Sequence, residues 1–153
     1  MRRGLISMPT SHTAKPKKQR PPNPMYWGDS AFPPYTLIIN RQPITKKNSM
    51  QITRAGGLIP SKQWRDYKAN ALICGHGPSS PIGYPVNVKA LYYRGDRRRC
   101  DLANLHEALH DLLVWWEILE DDNFNIIRAT DGSRVLYDKE NPRTEILITG
   151  MEE

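Results

Sequence analysis

Apolar and polar positions divide this chain at about residue 35. Residues 1–34 hold seven of the thirteen prolines and almost no periodic apolar pattern. Such a segment cannot bury enough apolar surface to offset the entropy lost on ordering. We therefore predict a disordered, basic, proline-rich arm over residues 1–34 and one folded domain over residues 35–153.

The apolar positions of the folded part predict several strands. Residues 35–40 are β-branched and apolar, which is typical of a buried strand. Alternation within 85–94 indicates a strand with one buried face. Residues 123–129 and 143–149 predict two more strands. Between them, Asp131-Gly132 offers a hairpin turn, from which residues 134–137 could pair back.

Two segments have helical character. The first begins at Ser61, a plausible N-cap, and is expected to reach about Ile73, before Gly75, Gly77 and Pro78. The second should run from Asp101, the N-cap, to about Trp116. Its apolar stripe predicts a core face formed by Leu102, Leu105, Leu109, Leu112 and Trp116.

The elements follow no regular βαβ order. Short extended pieces around the turn at 55–57 and the later strands mix with the two helices. This order predicts an α+β fold, a single domain in which a mixed sheet packs with two main helices.

Charge adds a strong polarity to this outline. The first twenty residues carry six basic groups and no acidic one, and the remaining chain is balanced at 16 basic and 16 acidic residues. Residues 41–68 hold seven basic residues and one acidic residue, whereas residues 101–131 hold eight acidic residues and one basic residue. Each run alone is typical of a solvated surface. The two runs have opposite charge within one small domain. The basic run is suited to bind phosphate, and the acidic run is suited to bind a divalent cation.

The most informative motif lies where these blocks meet. Arg97-Arg98-Arg99-Cys100-Asp101 leads into the second helix, and Glu120-Asp121-Asp122-Asn123 follows that helix. This pattern resembles RusA-type Holliday junction resolvases, in which an arginine-rich loop precedes Asp-Leu-Asp-Asn-Leu and a later Asp-Asp pair. Related genes often occur in prophages.

The resemblance covers most of the folded part and implies roles for individual residues. It implies that Asp101 and Asp122 are catalytic metal ligands, and that Asp121 and Asn104 are further candidate ligands for Mg²⁺, or for Mn²⁺ as a substitute. Independently of the resemblance, helical spacing places Asp111 on one face with Asn104 and Glu107, so Asp111 is either another candidate metal ligand or an ordinary residue of the helix surface. The resemblance also implies DNA contacts by Arg97, Arg98, Arg99, Lys46, Lys47, Asn48, Lys62 and Arg65. RusA-type enzymes are homodimers that resolve branched DNA, so the resemblance implies a dimeric crossover junction endonuclease.

Two positions depart from the family pattern. Ala103 stands where the family has its second Asp, and Glu107 stands where it has a catalytic Lys. Glu107 could replace the lost carboxylate one helical turn later and join the catalytic set. Alternatively, the site is degenerate and the protein binds branched DNA without cutting it, or Ala103 was introduced to inactivate the protein.

Helix geometry sets a constraint on the metal site. Asp101 and the Asp121-Asp122 pair should be about 24–30 Å apart along the helix axis at 1.5 Å per residue. Either the chain doubles back to bring them together, or a partner subunit supplies one of them. The sequence leaves both routes open.

The remaining chemistry is less specific. His106 and His110 are one helical turn apart but lack a third zinc ligand motif, so we expect solvated or packed histidines. Trp115-Trp116 is expected to be a core and dimer contact rather than a base-stacking platform. Cys74 and Cys100 match no metal motif, and no apolar run is long enough to cross a membrane. We therefore expect a cytoplasmic protein with no membrane association.

Overall fold

A computed structural model describes residues 34–46 and 50–151. Its ten elements are β1 (Tyr35–Ile39), β2 (Met50–Ile52), β3 (Leu58–Pro60), α1 (Lys62–Asn70), β4 (Ile73–His76), β5 (Val86–Arg94), α2 (Leu102–Trp115), β6 (Ile127–Ala129), β7 (Arg134–Tyr137) and β8 (Arg143–Gly150). The predicted disordered arm, apart from Pro34, and the predicted DNA contacts of Lys47 and Asn48 lie outside the described residues.

The main sheet has the order β4-β1-β8-β5, with β6 and β7 beyond β5. The pairs β1–β4, β1–β8 and β5–β8 are antiparallel, whereas β6 and β7 both run parallel to β5. β2 and β3 form a separate antiparallel hairpin around Gly56, whose φ of 81° suits glycine in a tight turn. The mixed sheet with two helices confirms the α+β prediction.

The sheet edge beyond β5 differs from the predicted hairpin. β6 pairs with β5 at Val86 and Asn87, and β7 pairs with β5 from Leu91 onward, so the two strands follow one another along the same edge. Between them, the Ala90 amide donates to Ser133 Oγ at 2.9 Å. Asp131-Gly132 does form a turn, but pairing with the longer β5 places β7 beside β5 and not beside β6. Residues 123–126 form a turn ahead of β6, so that strand is also shorter than predicted.

The core lies between the sheet and the two helices. Leu105, Leu109 and Leu112 of α2 are buried, as the apolar stripe predicted, while Leu102 is 37% exposed. Trp64 and Tyr67 of α1 join the same cluster, with their rings stacked at 6.3 Å. Neither helix has the length and apolar character needed to cross a membrane, in the part of the chain that the structure describes.

The first helix is shorter than predicted. Ser61 caps it as expected, since its hydroxyl accepts from the Trp64 amide at 3.1 Å. The helix ends at Asn70, and Ile73–His76 forms β4 against β1. Gly75 sits in that strand at φ 123°, where a Cβ atom would lie 2.2 Å from the Thr36 carbonyl oxygen. The glycine that was expected only to stop the helix thus permits a close strand pairing.

Candidate functional site

The chain doubles back directly after α2. Trp116 ends the helix, and Glu117 adopts a left-handed backbone with φ 56°, an uncommon conformation for a residue with a side chain. Buried Ile118 and Leu119 then pack into the core, and a bridge between Leu119 and Ile82 fixes the returning segment. This reversal carries Asp122 back along the helix that it follows in sequence.

The reversal brings Asp122 to Asp111, in the third turn of α2. Both carboxylates line one open pocket of about 370 Å³ together with Lys46. The Lys46 ammonium donates to Asp111 Oδ2. The chain does double back after α2, but the return places Asp122 beside Asp111 and not beside Asp101.

Lys46 reaches this pocket from the segment that follows β1. Arg41 donates to the Asp66 carbonyl at 3.2 Å, and Gln42 accepts from the Gly95 amide at 2.6 Å. Pro43 is buried and Ile44 packs against the core. These contacts hold the segment across the helices, so that Lys46 arrives beside Asp111.

The charges in the pocket influence one another. The hydrogen bond from Lys46 to Asp111 raises the pKa of Lys46, and the carboxylates of Asp111, Glu107 and Asp122 add to that rise. Burial raises the pKa of Asp122, and its hydrogen bond with Asp121 and the nearby Asp111 carboxylate raise it further. Asp111 and Asp122 repel one another, and a cation bound between them would relieve that repulsion.

Asp121 has a different environment from Asp122. It accepts from Asn123 Nδ2 and from the Asp122 amide, both at 2.7 Å. The hydrogen bond from Asn123 is the main reason why the pKa of Asp121 is lowered. Asp121 therefore organises the turn that presents Asp122, and it does not line the pocket with Asp111.

Asp101 and Asn104 lie at the other end of α2. Asp101 occupies the N-cap position without a side-chain capping bond, and its carboxylate accepts from Asn104 Nδ2 at 3.3 Å. Ten residues of helix separate Asp101 from Asp111, about 15 Å along the axis. Within one chain, the structure does not bring Asp101 together with Asp122.

Glu107 lies one helical turn before Asp111. Its side chain is exposed, and its charge contributes to the raised pKa of Lys46. Glu107 and Asp111 are therefore both close enough to Lys46 for their charges to raise its pKa. Ala103 is exposed one turn further toward the start of α2.

The arginine triplet forms a basic surface ahead of α2. Arg97 lies over the Tyr137 ring, 4.3 Å from its centroid. Arg98 pairs with Asp96 at 2.9 Å, and this hydrogen bond is the main reason why the pKa of Asp96 falls to about 2. Arg97, Arg98 and Arg99 are all exposed. Gly95, just before the triplet, donates its amide to Gln42. Gln42 belongs to the segment that carries Lys46, so this segment links the basic surface to the pocket.

The other predicted DNA contacts lie on α1. Lys62 and Arg65 are exposed in the first turns of this helix. Lys62 lines a cavity with Arg41, next to the segment that carries Lys46. These side chains are accessible to a phosphate backbone.

The two histidines of α2 are packed side by side. Their rings stack at 5.6 Å, and His106 Nδ1 shares a hydrogen bond of 2.9 Å with the Tyr92 hydroxyl. Burial, together with the nearby His106, lowers the pKa of His110 to about 4. His110 Nε2 is buried with no hydrogen-bond partner among the described residues. Both histidines are partly buried, and they pack against each other and against Tyr92.

Trp115 is a residue whose surroundings the sequence did not indicate. Trp115-Trp116 was expected to be a core and dimer contact. Trp116 packs against the core, whereas the Trp115 side chain is 61% exposed, and the dimer contact stays a prediction. The Lys68 ammonium lies 3.4 Å from the centroid of the Trp115 ring. Both residues line the pocket of Asp111 and Asp122. The sequence could not reveal the exposure of Trp115, because that exposure depends on how α1 and α2 pack.

The described residues contain no group of three or more His, Cys, Asp or Glu side chains placed to hold a metal ion. The carboxylates in the pocket are the pair Asp111 and Asp122. Comparison with protein-family models and with curated proteins finds no match to this chain.

Proposed function

We propose that this protein is a Mg²⁺-dependent endonuclease that cuts branched DNA, such as a four-way junction. The observation that supports this most directly is the open pocket in which two carboxylates from different segments meet a lysine. The basic surface formed by Arg97, Arg98 and Arg99 supports a polyanionic substrate, and the resemblance of its sequence motif to RusA-type resolvases supports junction cleavage.

The residues of the pocket fit a magnesium ion. Mg²⁺ usually keeps several water ligands and is held by one or two carboxylates together with substrate phosphate. Asp111 and Asp122 would provide those carboxylates, and the raised pKa of Asp122 reflects in part the repulsion that a cation relieves. The ion would lower the pKa of a bound water and neutralise charge on the phosphate. Mn²⁺ prefers the same oxygen ligands and should substitute.

Lys46 would bind the substrate in this site. Its ammonium is protonated and pairs with Asp111 when no phosphate is present. A phosphate oxygen entering the pocket offers a second anionic partner at the same place. Lys46 would then neutralise the phosphate and release Asp111 to bind the ion.

Glu107 supports the compensation hypothesis for Ala103. It lies one helical turn from Asp111 on the face that Lys46 approaches. In this interpretation, the carboxylates that act in one chain are Asp111 and Asp122, and Glu107 keeps the pocket acidic. Asp101 would join such a site only from the partner of a two-fold dimer, in which both subunits offer the same surfaces.

The second candidate function is binding of branched DNA without cleavage. Two observations favour it: Lys46 neutralises one of the two pocket carboxylates, and Asp101 lies at the far end of α2. Such a protein would use the same basic surface. Either function acts on DNA, and together with the two free cysteines this leads us to propose a cytoplasmic location.

Cleavage of a synthetic four-way junction with and without Mg²⁺ tests the proposal. Asp111→Asn and Asp122→Asn should each abolish cutting and leave junction binding intact. Asp131→Asn, which changes an exposed carboxylate in the β6–β7 turn, is the matched control and should cut normally. Normal cutting by Asp122→Asn would exclude this site from the reaction.

The same assay separates compensation from a degenerate site. If Glu107 contributes, Glu107→Gln should lose most activity, and Ala103→Asp should change it only modestly. A degenerate site predicts no activity in the unchanged protein and measurable cutting after Ala103→Asp.

A further inference from the structure

We propose that Trp115, backed by Lys68, is a stacking platform for one unpaired nucleobase beside the carboxylate pocket. This inference rests on the proposed function in one respect, namely that the pocket receives nucleic acid. It goes further by specifying that the nucleotide bound there is unstacked. The substrate class is therefore DNA with unpaired or distorted nucleotides, and not continuous duplex.

The first observation is the state of the indole ring. Trp115 lies in the last turn of α2, yet 61% of its side chain is exposed. A single exposed aromatic residue needs no functional explanation. In this case, however, Lys68 lies 3.4 Å from the ring centroid, which fixes a cation against the aromatic face. The ring is thus oriented by a contact while much of its surface stays open.

The second observation is the composition of the pocket wall. Pro60, Trp64, Val114 and Trp115 form its apolar part, and its charged part consists of Lys46, Lys68, Asp111 and Asp122. A nucleotide matches both parts, since its base presents a flat apolar face and its phosphate an anion. Aromatic rings combined with basic side chains are the usual means of binding single-stranded nucleic acid.

A second protein molecule matches this wall less well. An apolar protein surface placed over Trp115 would bury four charged side chains, and burying charges without full compensation is costly. Lys46 and Lys68 can each donate to a nucleotide phosphate, a partner that an apolar protein surface does not offer. The composition therefore favours nucleic acid over a protein contact at this place.

The geometry of duplex DNA then defines the substrate. Base faces in a continuous duplex are covered by their neighbours, so a ring can stack on a base only where the base has left the stack. Nucleotides at a branch point or in a single strand meet this condition. Trp115 would therefore select for such nucleotides beside the carboxylates.

The test measures binding in the presence of EDTA, with the full chain and no cleavage. The probes are a four-way junction carrying 2-aminopurine at the branch point and a single-stranded oligonucleotide carrying the same base. Stacking on Trp115 should quench 2-aminopurine fluorescence. Trp115→Ala should remove the quenching and weaken single-strand affinity roughly 5- to 150-fold, the equivalent of one base–aromatic stack.

Two further variants complete the comparison. Trp115→Phe retains an aromatic face and should keep most of the quenching and affinity. Leu72→Ala removes a side chain that is 73% exposed and does not line the pocket, and it should behave as the unchanged protein.

The outcomes are distinct. Unchanged quenching and affinity in Trp115→Ala would overturn the platform, as would a loss of dimers in that variant with no change in DNA binding. Quenching that depends on Trp115 in a protein that never cuts with Mg²⁺ would support the platform and refute the nuclease. Mg²⁺-dependent cutting that is indifferent to Trp115 would refute the platform alone. A protein that binds neither probe would refute both.

Discussion

Lys46 donates to the carboxylate of Asp111 from a segment 65 residues earlier in the chain. This ion pair fills the place where a cation would neutralise Asp111 and Asp122. The pocket therefore holds a protonated amine in the position from which a metal ion would bind the same carboxylates. Competition between the two cations should be measurable.

Replacement of this lysine should have opposite effects on metal binding and on cleavage. Lys46→Gln removes the competing ammonium, so Mn²⁺ affinity in the absence of DNA should rise up to about fivefold, the equivalent of an exposed ion pair. Junction cleavage should fall roughly 100-fold or more, because phosphate loses its charged donor. Titration calorimetry and the cleavage assay measure the two effects. Lys139→Gln, in an exposed turn, serves as the control, and weaker metal binding by Lys46→Gln would contradict the competition.

The separation of Asp101 from Asp122 permits a test for a site shared between subunits. If Asp101 acts on the partner's pocket, Asp101→Asn and Asp122→Asn should each be inactive alone. Mixed and refolded together, they should regain roughly one quarter of the activity, because half of the dimers are mixed and each has one intact site. Continued inactivity of the mixture would confine the reaction to one chain. Full activity of Asp101→Asn alone would remove Asp101 from the mechanism.

The arginine triplet should determine how strongly salt weakens binding. Changing Arg97, Arg98 and Arg99 together to Ala should reduce the slope of log affinity against log salt by roughly 0.9 for each phosphate that the protein no longer neutralises. Junction affinity measured between low and physiological salt gives the slope. Lys139→Ala should leave the slope unchanged. If the triple variant also leaves the slope unchanged, these arginines form a solvated surface that does not contact phosphate.

The histidine pair should make folding stability depend on pH. Burial keeps the pKa of His110 near 4 in the folded chain, below its ordinary value of 6.5. The unfolded chain therefore binds more protons between these values, and stability should decrease as pH falls from about 6.5 toward 4. The full loss should approach about 3 kcal/mol. Urea unfolding at several pH values measures it, and His110→Leu should flatten the slope. An equal slope in both proteins would assign the pH dependence to other groups.

The sequence predicted the elements that are long enough to show several repeats of their apolar pattern. The alternation in β5 and the stripe of Leu105, Leu109 and Leu112 in α2 were sufficient, because each element buries one face on a regular period. Shorter elements depend on their neighbours. Ile73–His76 forms a strand because β1 offers an edge for pairing, and β7 joins β5 because β5 is long enough to pair with two successive strands.

The site was only partly predictable for a related reason. Asp111, Asp122 and Lys46 were each recognisable as candidates from the sequence. Their meeting depends on a reversal at Glu117, and the usual signal for such a left-handed position is glycine. A glutamate gives no such signal, so the return to Asp111 could not be distinguished from a return to Asp101.

Because of the reversal after α2, the number of residues between Leu119 and Asp122 determines whether the pocket can bind a metal ion. Ile118 and Leu119 are fixed by the core and by Ile82, so Asp122 has little freedom in where it emerges. One residue inserted between Leu119 and Asp122 would displace the carboxylate by up to about 3.3 Å, which exceeds a Mg²⁺–oxygen bond of about 2.1 Å. The fold would tolerate the insertion, because the inserted residue would be solvent-exposed. The insertion would, however, abolish metal binding. Active proteins of this architecture should therefore keep a constant number of residues in this segment, while their exposed turns vary in length.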